Sequence, residues 1–256
     1  EDVDLRKELY RYINFWPYFV LSFIFFISSA FIYLRYAKIV YSTSAKIEIL
    51  DKAMDSEMSL PTAMTIFNRS TINLENELNI LKSYRLFSEV VKELNANINY
   101  YNVGKIKSSI RHKDDWMPNL NYDLKFKSSS DSFTTTESYV FSFTRKNLSI
   151  NKIINDETLK TYEFSGHNTF NTLHDMPFDF RLISNYSDEI LDEDYMITFN
   201  PFVFVVNDLI SKVEAQAVGK DSDLIEIILN ETNPKISRDI IDKLIEKFNI
   251  DGIRDR

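Results

Sequence analysis

The run FWPYFVLSFIFFISSAFIYL, Phe15 to Leu34, contains no charged side chain. At about 1.5 Å of rise per residue, a helix of some twenty apolar residues matches the ~30 Å hydrocarbon core of a bilayer. No other stretch constrains the fold as strongly, because a segment apolar on all sides needs an apolar environment on all sides. Trp16, Tyr33 and Tyr36 lie near its ends, where amphipathic rings favour the membrane–water interface, and Arg11 and Arg35 bracket it. These five residues are the expected interface anchors of a transmembrane helix over 15–36. The alternative is a cleaved signal peptide processed at Ser28, Ser29 and Ala30. The apolar run continues through Phe31 and Ile32 to Leu34, past that site, which favours an uncleaved anchor. Charge does not orient the span: Arg6, Lys7 and Arg11 precede it, and Arg35, Lys38 and Lys46 follow. The chain opens on Glu1 rather than Met, so a piece of a longer protein is expected.

Composition narrows the function. With 44% apolar and 14% aromatic residues in 256, the chain has ample material for a packed core. A net charge of −8, from 38 acidic against 30 basic residues, lacks the basic field that phosphate backbones require, and nucleic acid is not an expected partner. The absence of cysteine removes disulfides, thiolate nucleophiles and Cys-ligated zinc. Only four glycines are present, few for an enzyme whose backbone must approach phosphates closely.

After the span the periodicity alternates between strand and helix. Tyr41, Thr43, Ala45, Ile47 and Ile49 share one face of a strand. A polar loop, Asp51 to Asn68, leads to two short helices. Leu74, Leu78 and Leu81 mark the first; Ser83 is placed to cap the second, whose apolar face is Phe87, Val90, Val91 and Leu94. The middle, Asn97 to Asn200, is β-rich. Leu120, Tyr122, Leu124 and Phe126 alternate, as do Tyr139, Phe141 and Phe143, then Phe178, Phe180 and Leu182, then Tyr195, Ile197 and Phe199. The tract SSSDSFTTTES reads as a loop. Asn200 and Pro201 carry a helix-start signature, followed by Phe202, Val205, Val206, Leu209, Ile210 and Val213 on one helical face. VEAQAV and DLIEIIL form two strands turned around Gly219. Asn233 and Pro234 repeat the start signature, and Ile236, Ile240, Ile241, Leu244, Ile245 and Phe248 form the stripe of a final amphipathic helix, which Gly252 can end near Ile250. The expected class is α+β: a transmembrane helix, then a mixed α/β domain over 37–256 with a β-rich insertion at about 106–199 and a C-terminal amphipathic helix.

Catalytic signatures are hard to find. A phosphate loop would need glycine where Glu214 and Asn99 stand, and a hydroxyl where Asp221 and Ile106 stand. His167 and His174, with Asp175, have no metal-ligand spacing, and structural histidines are the better reading. The acidic cluster Asp188, Glu189, Asp192, Glu193 and Asp194 lacks the glycine turn of an EF-hand loop and reads as solvated. No catalytic residue, metal ligand or cofactor site is assigned.

Four separated segments resemble one family. DLRKELYRYINFWPYFVLSFIFF resembles the start of Wzz-type chain-length determinants, the polysaccharide co-polymerases, and YLRYAKIVYSTSAKIEI resembles their passage from the first membrane helix into a periplasmic strand. NLENELNILKSYRLFSEVVKELN is similar to the family's most recognisable helix pair, and NPKISRDIIDKLIEKFNIDGIRD to the root of its protruding helical arm, here 233–256. The likeness covers roughly residues 2–105 and 200–256; the β-rich middle matches only in position. It implies a cytoplasmic segment over 1–14, a periplasmic main domain and an inner-membrane homo-oligomeric ring that governs chain length or export of a capsular or exopolysaccharide. Implied partners are inner-membrane lipids, a polysaccharide polymerase or flippase, and an outer-membrane polysaccharide export protein. The insertion suits larger relatives linked to a cytoplasmic tyrosine autokinase. These 256 residues contain no second apolar span, long coiled arm, kinase phosphate loop or terminal tyrosine cluster, so ATP and magnesium are expected only with a kinase domain in a longer parent.

For oligomer contacts the first candidates are Glu75, Asn76, Glu77, Lys82, Ser83 and Arg85, around the helix pair; a solvated helix face is the competing role. The alternative function is a periplasmic ligand-sensing domain of a membrane receptor, which predicts a pocket in the β-rich middle built from Trp116, Tyr122, Phe141 and Tyr162. An anchored periplasmic hydrolase ranks last.

Overall fold

The computed structural model describes residues 15–49, 74–104, 107–143, 147–155, 157–165, 175–183, 194–219 and 223–254. The 1–14 segment with Arg11, the Asp51–Asn68 loop, His167, His174 and Asp188 to Glu193 lie outside the described residues. Two compact units divide at Ile39 and Val40. The first contains helix α1, Trp16–Tyr36, in which no residue is buried and whose length and hydropathy suffice to cross a membrane. Trp16, Tyr33 and Tyr36 are exposed at its ends, as is Arg35.

The second unit is mixed α/β and has two hydrophobic cores. Strand β1, Tyr41–Glu48, pairs antiparallel with β11, Leu224–Glu231, from Tyr41 opposite Glu231 to Glu48 opposite Leu224. β10, Val213–Ala217, pairs with the other edge of β11 through a turn in which Gly219 adopts φ 86°, a conformation glycine takes without a Cβ clash. Ile225, Ile227 and Leu229 are fully buried, as a strand with period 2 requires. Against this sheet pack helix α2 over 74–81 and helices α3, Tyr84–Leu94, α4, Phe202–Lys212, and α5, Pro234–Arg254. The predicted stripes face the core, with Phe87, Val90 and Val91 on α3, Val206 and Leu209 on α4, and Ile240, Ile241, Leu244 and Phe248 on α5 buried, and Leu94, Phe202, Val205, Ile210, Ile236 and Ile245 half-buried beside them. Ser83 caps α3 by accepting from the Leu86 amide at 3.4 Å, and Asn233 caps α5 by accepting from Lys235 and Ile236.

Two local expectations need correction. Gly252 does not end α5, which continues to Arg254, because Asp251 is buried and the Arg85 guanidinium holds it against α3. Asn200 does not cap α4: Pro201 occupies the cap position, and Asn200 instead donates through its backbone and side-chain amides to the Asn97 carbonyl, at 2.9 and 3.4 Å.

That contact closes the second core. A six-stranded antiparallel sheet runs in the order β3-β2-β9-β5-β6-β7, from Ser109–Arg111, Ile98–Val103, Asp194–Phe199, Glu137–Phe143, Asn147–Ile154 and Glu157–Ser165 respectively. The strand run therefore starts at Ile98, earlier in the chain than position 106. A two-stranded sheet, β4, Tyr122–Phe126, with β8, Phe178–Leu182, covers it. Phe178 packs edge-on to Tyr139 at 5.0 Å and stacks on Phe199 at 5.9 Å, while Phe180 meets Phe141 at 5.0 Å. The Ser/Thr tract joins this core through Phe133, stacked 4.6 Å from Phe199. Asn97 is fully buried where the chain passes between the cores, its amide donating to the carbonyls of Ser130 at 2.8 Å and Asn200 at 3.2 Å.

Candidate functional site

Where the two cores meet, the surface folds inward into a cleft of about 300 Å³. Its apolar lining comes from Leu94, Ala96, Ile98, Phe126, Ile236 and Ile240. Local geometry opens it. Helix α3 stops at Leu94 because Asn95 takes the left-handed conformation, φ 50° and ψ 42°, which sends the chain back into β2. β3 ends at Arg111, and the short 3-10 turn Lys113–Asp115 carries His112 against α5.

His112 is the best-defined polar group here. Its Nδ1 lies 3.3 Å from the Asp114 amide and 3.4 Å from Asp114 Oδ2, and its Nε2 lies 2.9 Å from Asp239 Oδ2. With Lys235 Nζ 2.7 Å from Asp115 Oδ1, two polar contacts tie the β-rich part to the first turns of α5. The Lys235 ammonium draws the Asp115 carboxyl below its usual range. Glu93, at the other rim, is bridged by Lys247 at 2.5 Å and Lys243 at 2.9 Å, and these bonds hold its pKa down at about 2. Tyr100 forms the wall between them, its ring 5.2 Å from that of Trp116. Burial pushes its phenol well above the ordinary value, so it serves as a neutral hydrogen-bonding group and not as a phenolate.

The sequence singled out His167 and His174 and passed over His112, whose partner Asp239 lies 127 positions away. The aromatics expected to form a sensing pocket are placed otherwise. Trp116, Phe141 and Tyr162 are buried in the β-rich core and Tyr122 is half-buried against it, with Trp116 edge-on to Tyr122 and Phe141 at 5.6 and 5.5 Å. Of the candidate oligomer contacts, Glu75, Asn76 and Lys82 are exposed and Glu77 is half-buried. Ser83 and Arg85 have roles within the chain, as the α3 cap and as the fork on Asp251. Among the described residues no group of three or more His, Asp or Glu side chains is arranged to hold a metal. No protein-family model matches the chain, and no curated protein matches it either.

Proposed function

We propose that the chain is the membrane-anchored scaffold of a Wzz-type polysaccharide co-polymerase, forming a homo-oligomeric ring at the bacterial inner membrane that governs chain length or export of a capsular or exopolysaccharide. One observation carries this reading. Three of the four quoted segments that resemble the family, lying far apart in sequence, supply β1, the α2–α3 pair and α5 and pack into a single core, whereas the second core, drawn from Ile98 to Phe199, lies outside those quoted segments. The fourth segment leads into α1, the apolar helix directly before β1. In this reading the amino terminus is cytoplasmic, the α/β unit is periplasmic, and α5 is the root of a helical arm. The exposed Glu75, Asn76 and Lys82 are the first side chains to examine at subunit contacts. The reading assigns no reaction to this chain; ATP and magnesium enter only through a kinase domain of a longer parent. Native mass spectrometry of the full-length parent in detergent is expected to give a defined oligomer, and a spectrum of monomer alone would overturn the ring. A ligand-sensing domain is the second reading, favoured by the cleft beside His112 rather than by the core aromatics.

A further inference from the structure

The polar groups lining the cleft fall into two sets. Glu93 and Asp239, its two carboxylates, are each already engaged, by Lys243 and Lys247 and by His112. Arg111 and Lys113 are exposed on the lining and, among the described residues, neither has a carboxylate within 4.0 Å, although Arg111 lies near enough to Asp115 to help draw its carboxyl below the usual range. The Asn95 side chain and the Tyr100 phenol likewise have no hydrogen-bond partner among the described residues. Four polar side chains without a direct ion pair or hydrogen bond among the described residues thus share the cleft lining with apolar ones. From this we infer that the cleft binds a hydroxylated ring bearing one negative group, a sugar acid or sugar phosphate.

Each part of that ligand has a counterpart on the lining. A guanidinium presents a planar fork that matches either carboxylate or phosphate, and an adjacent ammonium adds a point charge. An amide and a phenol, each able to donate and accept, suit ring hydroxyls, and the ring's C–H face suits the apolar lining. The volume lies at the small end of the about 300–1,000 Å³ typical of ligand sites and suits a single ring. The assignment stands whether or not the protein assembles into a ring, and its failure would leave the oligomer measurement untouched.

The chain has two tryptophans, and Trp16→Phe leaves Trp116, which packs on Tyr100, as a fluorescence reporter. The full chain in detergent is titrated with glucuronate, glucose 1-phosphate, glucose and inorganic phosphate, with calorimetry in parallel. Saturable one-to-one binding of glucuronate or of glucose 1-phosphate is expected, and which of the two binds tighter identifies the anion. Arg111→Gln with Lys113→Gln is expected to weaken it at least about tenfold, as loss of a charge-assisted bond should. Arg111→Lys is expected to recover part of the affinity, and Tyr100→Phe to lose several-fold. Both cations are exposed, so the double variant is expected to keep the parent's melting curve. No binding of either sugar anion, glucose binding as tightly as glucuronate, or unchanged affinity in the double variant each overturns the proposal. Inorganic phosphate binding as tightly as glucose 1-phosphate overturns it too, since the ring would then contribute nothing.

Discussion

At the scale of single residues, the charged seam between α3 and α5 makes the sharpest predictions. Asp251 is 6% exposed, and the Arg85 fork compensates its charge, with Nη1 2.9 Å from Oδ1. Removing one partner of a fully buried pair costs about 3–5 kcal/mol, but the Arg85 side chain is more than half exposed and water takes part of the load. Arg85→Ala is therefore expected to cost about 1–3 kcal/mol in urea unfolding, and pairing it with Asp251→Leu should recover most of the loss. Glu93 gives a pH prediction. Lys247 and then Lys243 hold its pKa at about 2, against 4.5 for an ordinary glutamate. The folded state thus holds this carboxylate ionised more tightly than the unfolded chain does. Its stabilising contribution is complete above about 4.5 and is lost as pH falls through about 2. A carbonyl 13C titration should show that midpoint, and Lys243→Met with Lys247→Met should return it toward 4.5.

At the scale of elements, α5 is the helix to test. Gly252 lies inside it, and a Cβ built there meets nothing within 4 Å. Gly252→Ala removes unfolded-chain freedom at no steric cost, so a stabilisation of about 0.5–1 kcal/mol is expected in thermal unfolding. Leu244 is fully buried beneath the same helix, and Leu244→Ala is expected to cost about 2–5 kcal/mol. Such helices were legible because their apolar residues recur at one period and their caps are local. Ser83 and Asn233 act within three residues of themselves. The same holds for strands with one buried face, such as Tyr139, Phe141 and Phe143. The β6–β7 hairpin was not singled out, because along β7 Tyr162 alone is buried and the other described side chains are half-buried or exposed, which leaves little alternation to read. The cleft was invisible for another reason: it joins α3, β2, the His112 turn and α5, and no local pattern encodes contacts across such separations. The Asn200 signature misled because the same side chain could cap a helix or clasp Asn97, and tertiary packing chose the clasp.

At the scale of the α/β unit, one core is inserted within the other. The helical core draws no residue from 98–199, and the chain leaves and returns through Asn97 and Asn200, whose backbones are joined by a 2.9 Å hydrogen bond. Those positions lie close enough for a two-residue turn to connect them. Replacing 98–199 with Gly-Ser should therefore leave α2 to α5 and the three-stranded sheet folded, with a cooperative urea transition and retained helical circular dichroism. Some stability is lost with the insertion, because the contacts of His112 with Asp239, Asp115 with Lys235 and Lys92 with Asp131 go with it. Folding should nevertheless speed up. β1 must find β11 across the insertion, Tyr41 opposite Glu231, and shortening the intervening chain lowers both loop-closure entropy and contact order. A stopped-flow comparison at matched final stability is expected to show faster refolding of the shortened chain. If that chain unfolded without a cooperative transition, the two cores would be one folding unit, and the Asn97–Asn200 clasp would be a crossing point inside it rather than its boundary.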